Sequence, residues 1–388
     1  MVLREGKPQE VGMSANKVKY VDEMASSWIK EEKLPALVTL VARKGVIVLN
    51  NAYGKAAYGA DAAPLERDML FPLASISKAI TATAAMILVE EGKLGLHRPV
   101  SYYIPEFRGD GKDSVAVHHL LTHTSGIRGK ELYEHIDSKR GKVDIPAPEP
   151  TQDLYNYEEL YLSYDAPLWK QPGTEMSYSS YGYMLLGEII RRISKKSFAS
   201  FVQEKIFDPL GMKDTFFVVP ESVYKRVVRR NPDGPDQWAG TPEHLADPNP
   251  AGGAYSTAMD MAIFAQMFLN KGTYGDKRIL SRATVETMTK NQIPGISASW
   301  GNMFFPEGSW GYGWSIQGNK RDEYGSLCSG NTFSHGGAGG TFLWVDPDRE
   351  LVGVFFSVYS HWDDCGTDLF SNMVMSAIEE DEAGINTL

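Results

Sequence analysis

Two apolar segments at opposite ends of the chain constrain its fold more than any other feature. Near the start, "ALVTLVARKGVIVLNNAYG" reads as two strands turned at Lys44-Gly45. Near the end, "GTFLWVDPDRELVGVFFSVYS" reads as a hairpin turned at Asp346–Arg349. Helical patterns flank both, one over residues 14–31 and one at "DLFSNMVMSAIEE". The economical fold is α/β of the α+β kind, with an antiparallel sheet built from both chain ends and flanked by the terminal helices. Residues 1–70 and 250–388 then form the sheet domain. Residues 71–249 form an inserted, mostly helical domain, with the site in the cleft between the two.

The middle of the chain supports that division. It holds a helical stretch at 182–194 ("GYMLLGEIIRRIS"), a proline-rich break at "DIPAPEPTQD" and a long loop over about 229–253. Beyond the loop, "STAMDMAIFAQMFLNKG" is helical, and no internal repeat is visible. A net charge of −10 without a basic patch argues against nucleic-acid or anionic-membrane partners. Two cysteines, Cys328 and Cys365, are too few for a disulfide framework, although one bridge between them stays open. The opening residues lack an apolar signal core, and no 18-residue uncharged apolar span occurs, so a cytoplasmic location is expected.

Chemistry enters at "FPLASISKAITATAAMILVEEGKLGL". Ser75 and Lys78 stand three apart at the head of a helix of about four turns, on one face of its first turn. Ser-x-x-Lys occurs elsewhere too, Ser14/Lys17 and Ser222/Lys225 among the copies, and neither of those two leads into a comparable apolar helix. A serine hydroxyl needs a base within reach, and a lysine serves only when burial or a neighbouring cation lowers its pKa. The plainer reading makes Ser75 a helix cap and Lys78 a solvated first-turn residue.

Three further stretches bear on that choice. Tyr178, in "MSYSSYGYMLLGEII", precedes a helix start, where a phenol beside a cation could act as phenolate or relay. His335-Gly336-Gly337, in "FSHGGAGGTFLWVDP", leads into a strand and not a helix, which suits close backbone approach to a ligand and not a dinucleotide loop. His119 and His123, in "VHHLLTHTSGI", are four apart but lack further ligands, so packing and hydrogen bonding are the expected roles and no metal is expected. No Gly-x-Ser-x-Gly occurs, which counts against a nucleophile elbow.

Taken together, Ser75-x-x-Lys78, Tyr178-Ser179-Ser180 and His335-Gly336-Gly337 resemble the three-motif signature of the serine β-lactamase and penicillin-binding-protein superfamily. More narrowly, the chain resembles the class C β-lactamase-like group, closest in type to family VIII carboxylesterases. "HLLTHTSGI", "IFDPLGMKDTFF" and "AGGAYSTAMDMAIFAQM" extend the likeness over nearly the whole chain. The resemblance implies Ser75 as the acylated nucleophile, Lys78 beside it, and Tyr178 as general base. It implies an oxyanion hole from the backbone N–H groups of Ser75 and Ala338, and substrate contacts from His335, Gly336, Gly337 and Ser180. No cofactor is implied, and no oligomeric state.

Two departures matter. The β-lactamases of that group carry Tyr-x-Asn and Lys-Thr-Gly, where this chain has Ser180 and His335. A neutral imidazole is a poorer carboxylate clamp than a lysine. Both changes point to a small-molecule ester lacking a fixed anion as substrate. Amidase or D-aminopeptidase, acyltransferase and weak β-lactamase chemistry stay as alternatives, as does a non-catalytic binding relative. The aromatic segments "YNYEELYLSYDAPLW" and "SWGNMFFPEGSWGYGW" suit either an acyl pocket or a core.

Overall fold

The structure, a computed structural model, describes residues 1–59, 61–109, 111–153, 156–231, 237–300, 303–320, 325–358 and 366–379. The main strands are β1 (Arg4–Glu5), β2 (Ala36–Arg43), β3 (Val46–Gly54), β4 (Ser315–Ile316), β5 (Phe333–Gly337), β6 (Thr341–Asp346) and β7 (Leu351–Ser357). They form one sheet in the order β1-β3-β2-β7-β6-β5-β4, so strands from the two chain ends meet at β2 and β7. Val354 of β7 lies opposite Leu40 of β2. The sheet is mixed and not wholly antiparallel, because β1 runs parallel to β3. A parallel neighbour needs a long crossover, and the helix between β1 and β2 supplies one.

Turn chemistry fixes the first hairpin. Lys44 and Gly45 have φ of 48° and 75°, the paired left-handed values of the tight turn that suits twisted strands. β2 is buried along its whole length, and its residues alternate between two cores. Val38, Leu40 and Ala42 face a large core, while Leu37 and Val41 face a smaller one. A strand covered on both faces reads as a continuous apolar run. Helices α1 (Ala15–Lys30) and α6 (Thr367–Ser376) close the smaller core, and α5 (Ala258–Leu269) packs on β7, β6 and β2 from the other side. Helix α6 stops short of the expected end because Ile378 leaves it to pair with Met13. Residue 380, the last of that expected helix, lies outside the described residues, as do residues 359–360 of the expected hairpin.

The helical part centres on α2 (Ser77–Glu90), which packs against α4 (Ser180–Ser194); α4 also contacts the short α3 (Val117–Leu121). Residues Ser77 to Leu88 are all buried, so α2 is enclosed on every side. Gly92, at φ 69°, ends it as a left-handed stop. The expected loop at 229–253 carries a short helix, Pro242–Ala246, and its residues 232–236 lie outside the described set. Among the described residues no helix is long and apolar enough to cross a membrane.

Candidate active site

Ser75 sits on a single 3-10 turn, Ala74–Ile76, that runs directly into α2. It therefore precedes the α-helix and does not occupy its first turn. Ala74 explains the offset: its φ of 44° is left-handed for a residue with a side chain, a strain of about 1 kcal/mol. The hydrogen bond from Leu73 N–H to Ala254 O, 2.8 Å, pins the entry to that turn. Ser75 keeps partial exposure while Ser77 and Lys78 are buried.

Lys78 has no solvent to charge it. Its Nζ lies 3.0 Å from Ser75 Oγ and 2.8 Å from the carbonyl oxygen of Ala251. The remaining walls are the rings of Tyr178 and Tyr183, with centroids 5.0 and 5.8 Å away. No ion pair among the described residues involves Lys78. Burial without a carboxylate disfavours the ammonium and lowers its pKa from 10.5 to about 7. A large share of Lys78 is therefore neutral near pH 7 and able to accept a proton.

Tyr178 hydrogen-bonds Ser75, which completes a Ser–Lys–Tyr cluster drawn from two separate helix starts. Its ring rests on His123 at 4.3 Å and meets Trp310 edge-on at 5.9 Å. The phenolate role expected of a phenol beside a cation is not met. Burial dominates and raises the phenol well above 10, with the Ser75 hydrogen bond only partly offsetting it. Tyr178 is thus a protonated phenol near neutrality.

Strand β5 closes the other side by packing on the Ala74–Ile76 turn. A Cβ on Gly337 would lie 2.2 Å from the carbonyl oxygen of Leu73, so only glycine lets β5 run this close to Ser75. Ala338 follows as the exposed first residue of a turn. His335 is buried, and its Nδ1 lies 2.8 Å from Gly336 O, which makes Nδ1 the donor. Burial, then the charge of Lys78, lowers its pKa to about 3, so the imidazole is neutral. Ser180 opens α4 at an exposed position, and no described hydrogen bond joins it to Ser75, Lys78 or His335.

The other sequence candidates fall elsewhere. Lys17 bonds the carbonyl of Ser376 across the terminal helices, and Ser222 and Lys225 lie exposed on a 3-10 turn. His119 Nδ1 accepts from Ala116 N–H at 3.1 Å, while His123 Nδ1 accepts from Ser179 N–H at 3.0 Å. Of the two aromatic segments, Trp310 reaches the site while Trp314 and Tyr164 are core. Sequence reasoning missed the Ala251 carbonyl that holds Lys78. The signal was the Pro-Asn-Pro-Ala-Gly-Gly run at 248–253, a rigid then close-packed stretch inside the presumed loop.

Residues 19–372 match the family model described as Beta-lactamase. A Salmonella typhi protein named for a D-alanyl-D-alanine carboxypeptidase is 28% identical over 93% of this chain and 87% of its own length. Esterase EstB of Burkholderia gladioli is 37% identical over 52% of each chain. Among solved structures, a family VIII carboxylesterase superposes with a TM-score of 0.74 at 24% identity, covering 95% of this chain and 98% of that one. A penicillin-binding-protein homologue from Caulobacter crescentus gives 0.73 at 23% identity, covering 95% and 97%. At that identity the two structures speak for the fold.

Proposed function

Since the chain belongs to the Beta-lactamase family, whose relatives here are serine hydrolases, we propose that it cleaves carboxylic esters through an acyl group on Ser75. The observation that carries this reading is Lys78 Nζ at 3.0 Å from Ser75 Oγ, buried and without an ion-pair partner among the described residues. In the proposed reaction, neutral Lys78 takes the Ser75 proton as Oγ attacks the ester carbonyl. The N–H groups of Ser75 and Ala338 hold the oxyanion. The phenol of Tyr178 gives its proton to the departing alkoxide and is reprotonated from Lys78. Water then attacks the acyl carbonyl, its proton passes along the same route to the departing Ser75 Oγ, and the acid is released. Gly336 and Gly337 let substrate lie along the β5 edge, and Ser180 is assigned a substrate contact from its exposed place at the start of α4.

Ester preference is supported by His335. A D-alanyl peptide or a β-lactam brings a carboxylate, and a neutral buried imidazole offers it no charge. The peptidase reading has support of its own in the relative named for D-alanyl-D-alanine carboxypeptidase. The test is hydrolysis of p-nitrophenyl butyrate and of a D-alanyl-D-alanine peptide by wild type and Ser75→Ala, matched for folding by circular dichroism. Ester turnover lost in the variant is expected. Turnover confined to the peptide would replace the esterase reading with the peptidase one.

A further inference from the structure

His123, in the "HLLTHTSGI" stretch, has no part in the reaction proposed above, yet it meets Tyr178 at three points. Its carbonyl oxygen accepts from Ser177 N–H at 2.8 Å, and its Nδ1 accepts from Ser179 N–H at 3.0 Å. These are the amides of the two residues flanking Tyr178. Its ring lies over the Tyr178 ring at a centroid distance of 4.3 Å and an angle of 32°. Tyr183 and Trp310 close the other sides of the imidazole, at 5.2 and 5.1 Å.

The backbone gives independent testimony. His123 holds φ at 58°, a left-handed value for a residue that is 2% exposed. Strained residues persist where the surroundings over-determine them, and they gather at functional sites. A residue needed only to fill space would require neither that φ nor an acceptor aimed at the Ser179 amide. From this geometry we propose that His123 is a positioning residue for Tyr178, clamping its backbone on both sides and its ring by stacking so that the phenol meets Ser75. The proposal rests on the reading in which Tyr178 relays protons for Ser75.

The clamp works only with a neutral imidazole. If Nδ1 carried a proton, two donors would face each other at Ser179. Burial above all, with repulsion from Lys78 and His335 when they are protonated, disfavours the cation and holds the His123 pKa well below 6.5. The proton therefore sits on Nε2, which has no hydrogen-bond partner among the described residues.

The test uses the full chain with His123→Phe, which keeps a ring and removes the acceptor, and His123→Asn, which keeps an acceptor near Nδ1 and tolerates φ 58°. Each is made alone and with Tyr178→Phe. Two readouts are taken: kcat and KM for p-nitrophenyl butyrate, and the rate at which a fluorophosphonate probe labels Ser75. His123→Phe is expected to lower kcat and the labelling rate about 100-fold with KM little changed, the size of effect a misplaced group produces. His123→Asn should recover most of that loss. With Tyr178 already Phe, neither change should matter further, since residues acting through one group are non-additive.

Equal losses with and without Tyr178 would overturn the proposal and assign His123 a general structural role. So would an Asn variant as slow as the Phe variant. If His123→Phe does not fold, His123→Gln replaces it, because its acceptor lies one methylene beyond the Ser179 amide; full activity there would also overturn the clamp. Wild type that labels but cleaves no ester would sink the esterase reading while the labelling rates still decide on His123. Wild type that does not label at Ser75 would overturn both.

Discussion

Among the described residues two lysines are buried, and of these Lys78 lies beside a serine hydroxyl, that of Ser75, while Lys112 does not. Lys78 is fully buried against Ser75, Ala251 and two tyrosine rings. Lys112 is 1% exposed, donates to the Tyr164 carbonyl and lies 4.6 Å from the Phe107 ring centroid. Burial lowers both pKa values, to about 7 and about 8. At Lys112 the charge of Asp165 works against burial and Lys139 works with it; at Lys78 burial is the sole cause. A lowered pKa is therefore no signature of catalysis by itself. What separates the two regions is the neighbour: a hydroxyl on a strained turn in one, a spent backbone carbonyl in the other.

The largest expected effect breaks the comparison outright. Lys78→Met should cut ester turnover by about 1,000-fold or more, as removal of a member of a catalytic unit does. Lys112→Met should leave turnover at the wild-type level, measured on the same ester with folding checked by circular dichroism. Comparable losses in the two would mean that Lys78 acts through packing alone.

Stability should move the other way. Folded Lys78 has a pKa of about 7 against 10.5 unfolded, so between those values the unfolded chain binds more protons. The destabilisation from burying it is complete below pH 7 and lifts as pH rises from 7 to 10.5. Lys78→Met should accordingly be more stable than wild type at low pH by a few kcal/mol. The gap should narrow by roughly 1.4 kcal/mol per pH unit across that window. Urea unfolding of both proteins at several pH values reads this directly, and a gap independent of pH would contradict the lowered pKa.

Activity should follow the same proton. The kcat/KM for a neutral ester should rise with pH through about 7 as Lys78 loses its charge, while Tyr178, its phenol raised well above 10, and neutral His335 and His123 contribute no step there. A profile that is flat from pH 5 to 9 would remove Lys78 as base. The smallest effect belongs to His335. Introducing a cation with His335→Lys should raise turnover of a carboxylate-bearing ester relative to a neutral one by about tenfold or somewhat more, the worth of one charge-assisted hydrogen bond.

Much of this was legible in the sequence, for identifiable reasons. The strands at both ends announced themselves because β2 and β7 are covered on both faces and so run apolar without interruption. The Lys44-Gly45 turn followed from glycine's freedom at φ 75°. Ser75, Lys78 and Tyr178 were reachable because serine, lysine and tyrosine lead into well-marked helices. The parallel edge of β1 was not, since two residues carry no periodicity. The fall of Lys78 and the rise of Tyr178 were beyond reach too. Burial decides both, and burial depends on Tyr183, Ala251 and Trp310, far apart in the chain. His123 packs and hydrogen-bonds as expected, but its partners, the backbone amides of Ser177 and Ser179, were not legible, because amides leave no trace in side-chain patterns.

The central claim is that Ser75 carries the acyl group, and one measurement reaches it most directly. Wild-type protein is mixed with excess p-nitrophenyl butyrate, quenched in acid within the first turnovers, digested and mapped by mass spectrometry. One butyryl group on the peptide containing Ser75 and Lys78, absent from Ser75→Ala, is the predicted result. Turnover that proceeds with no acyl group there, or with one elsewhere, would contradict the account.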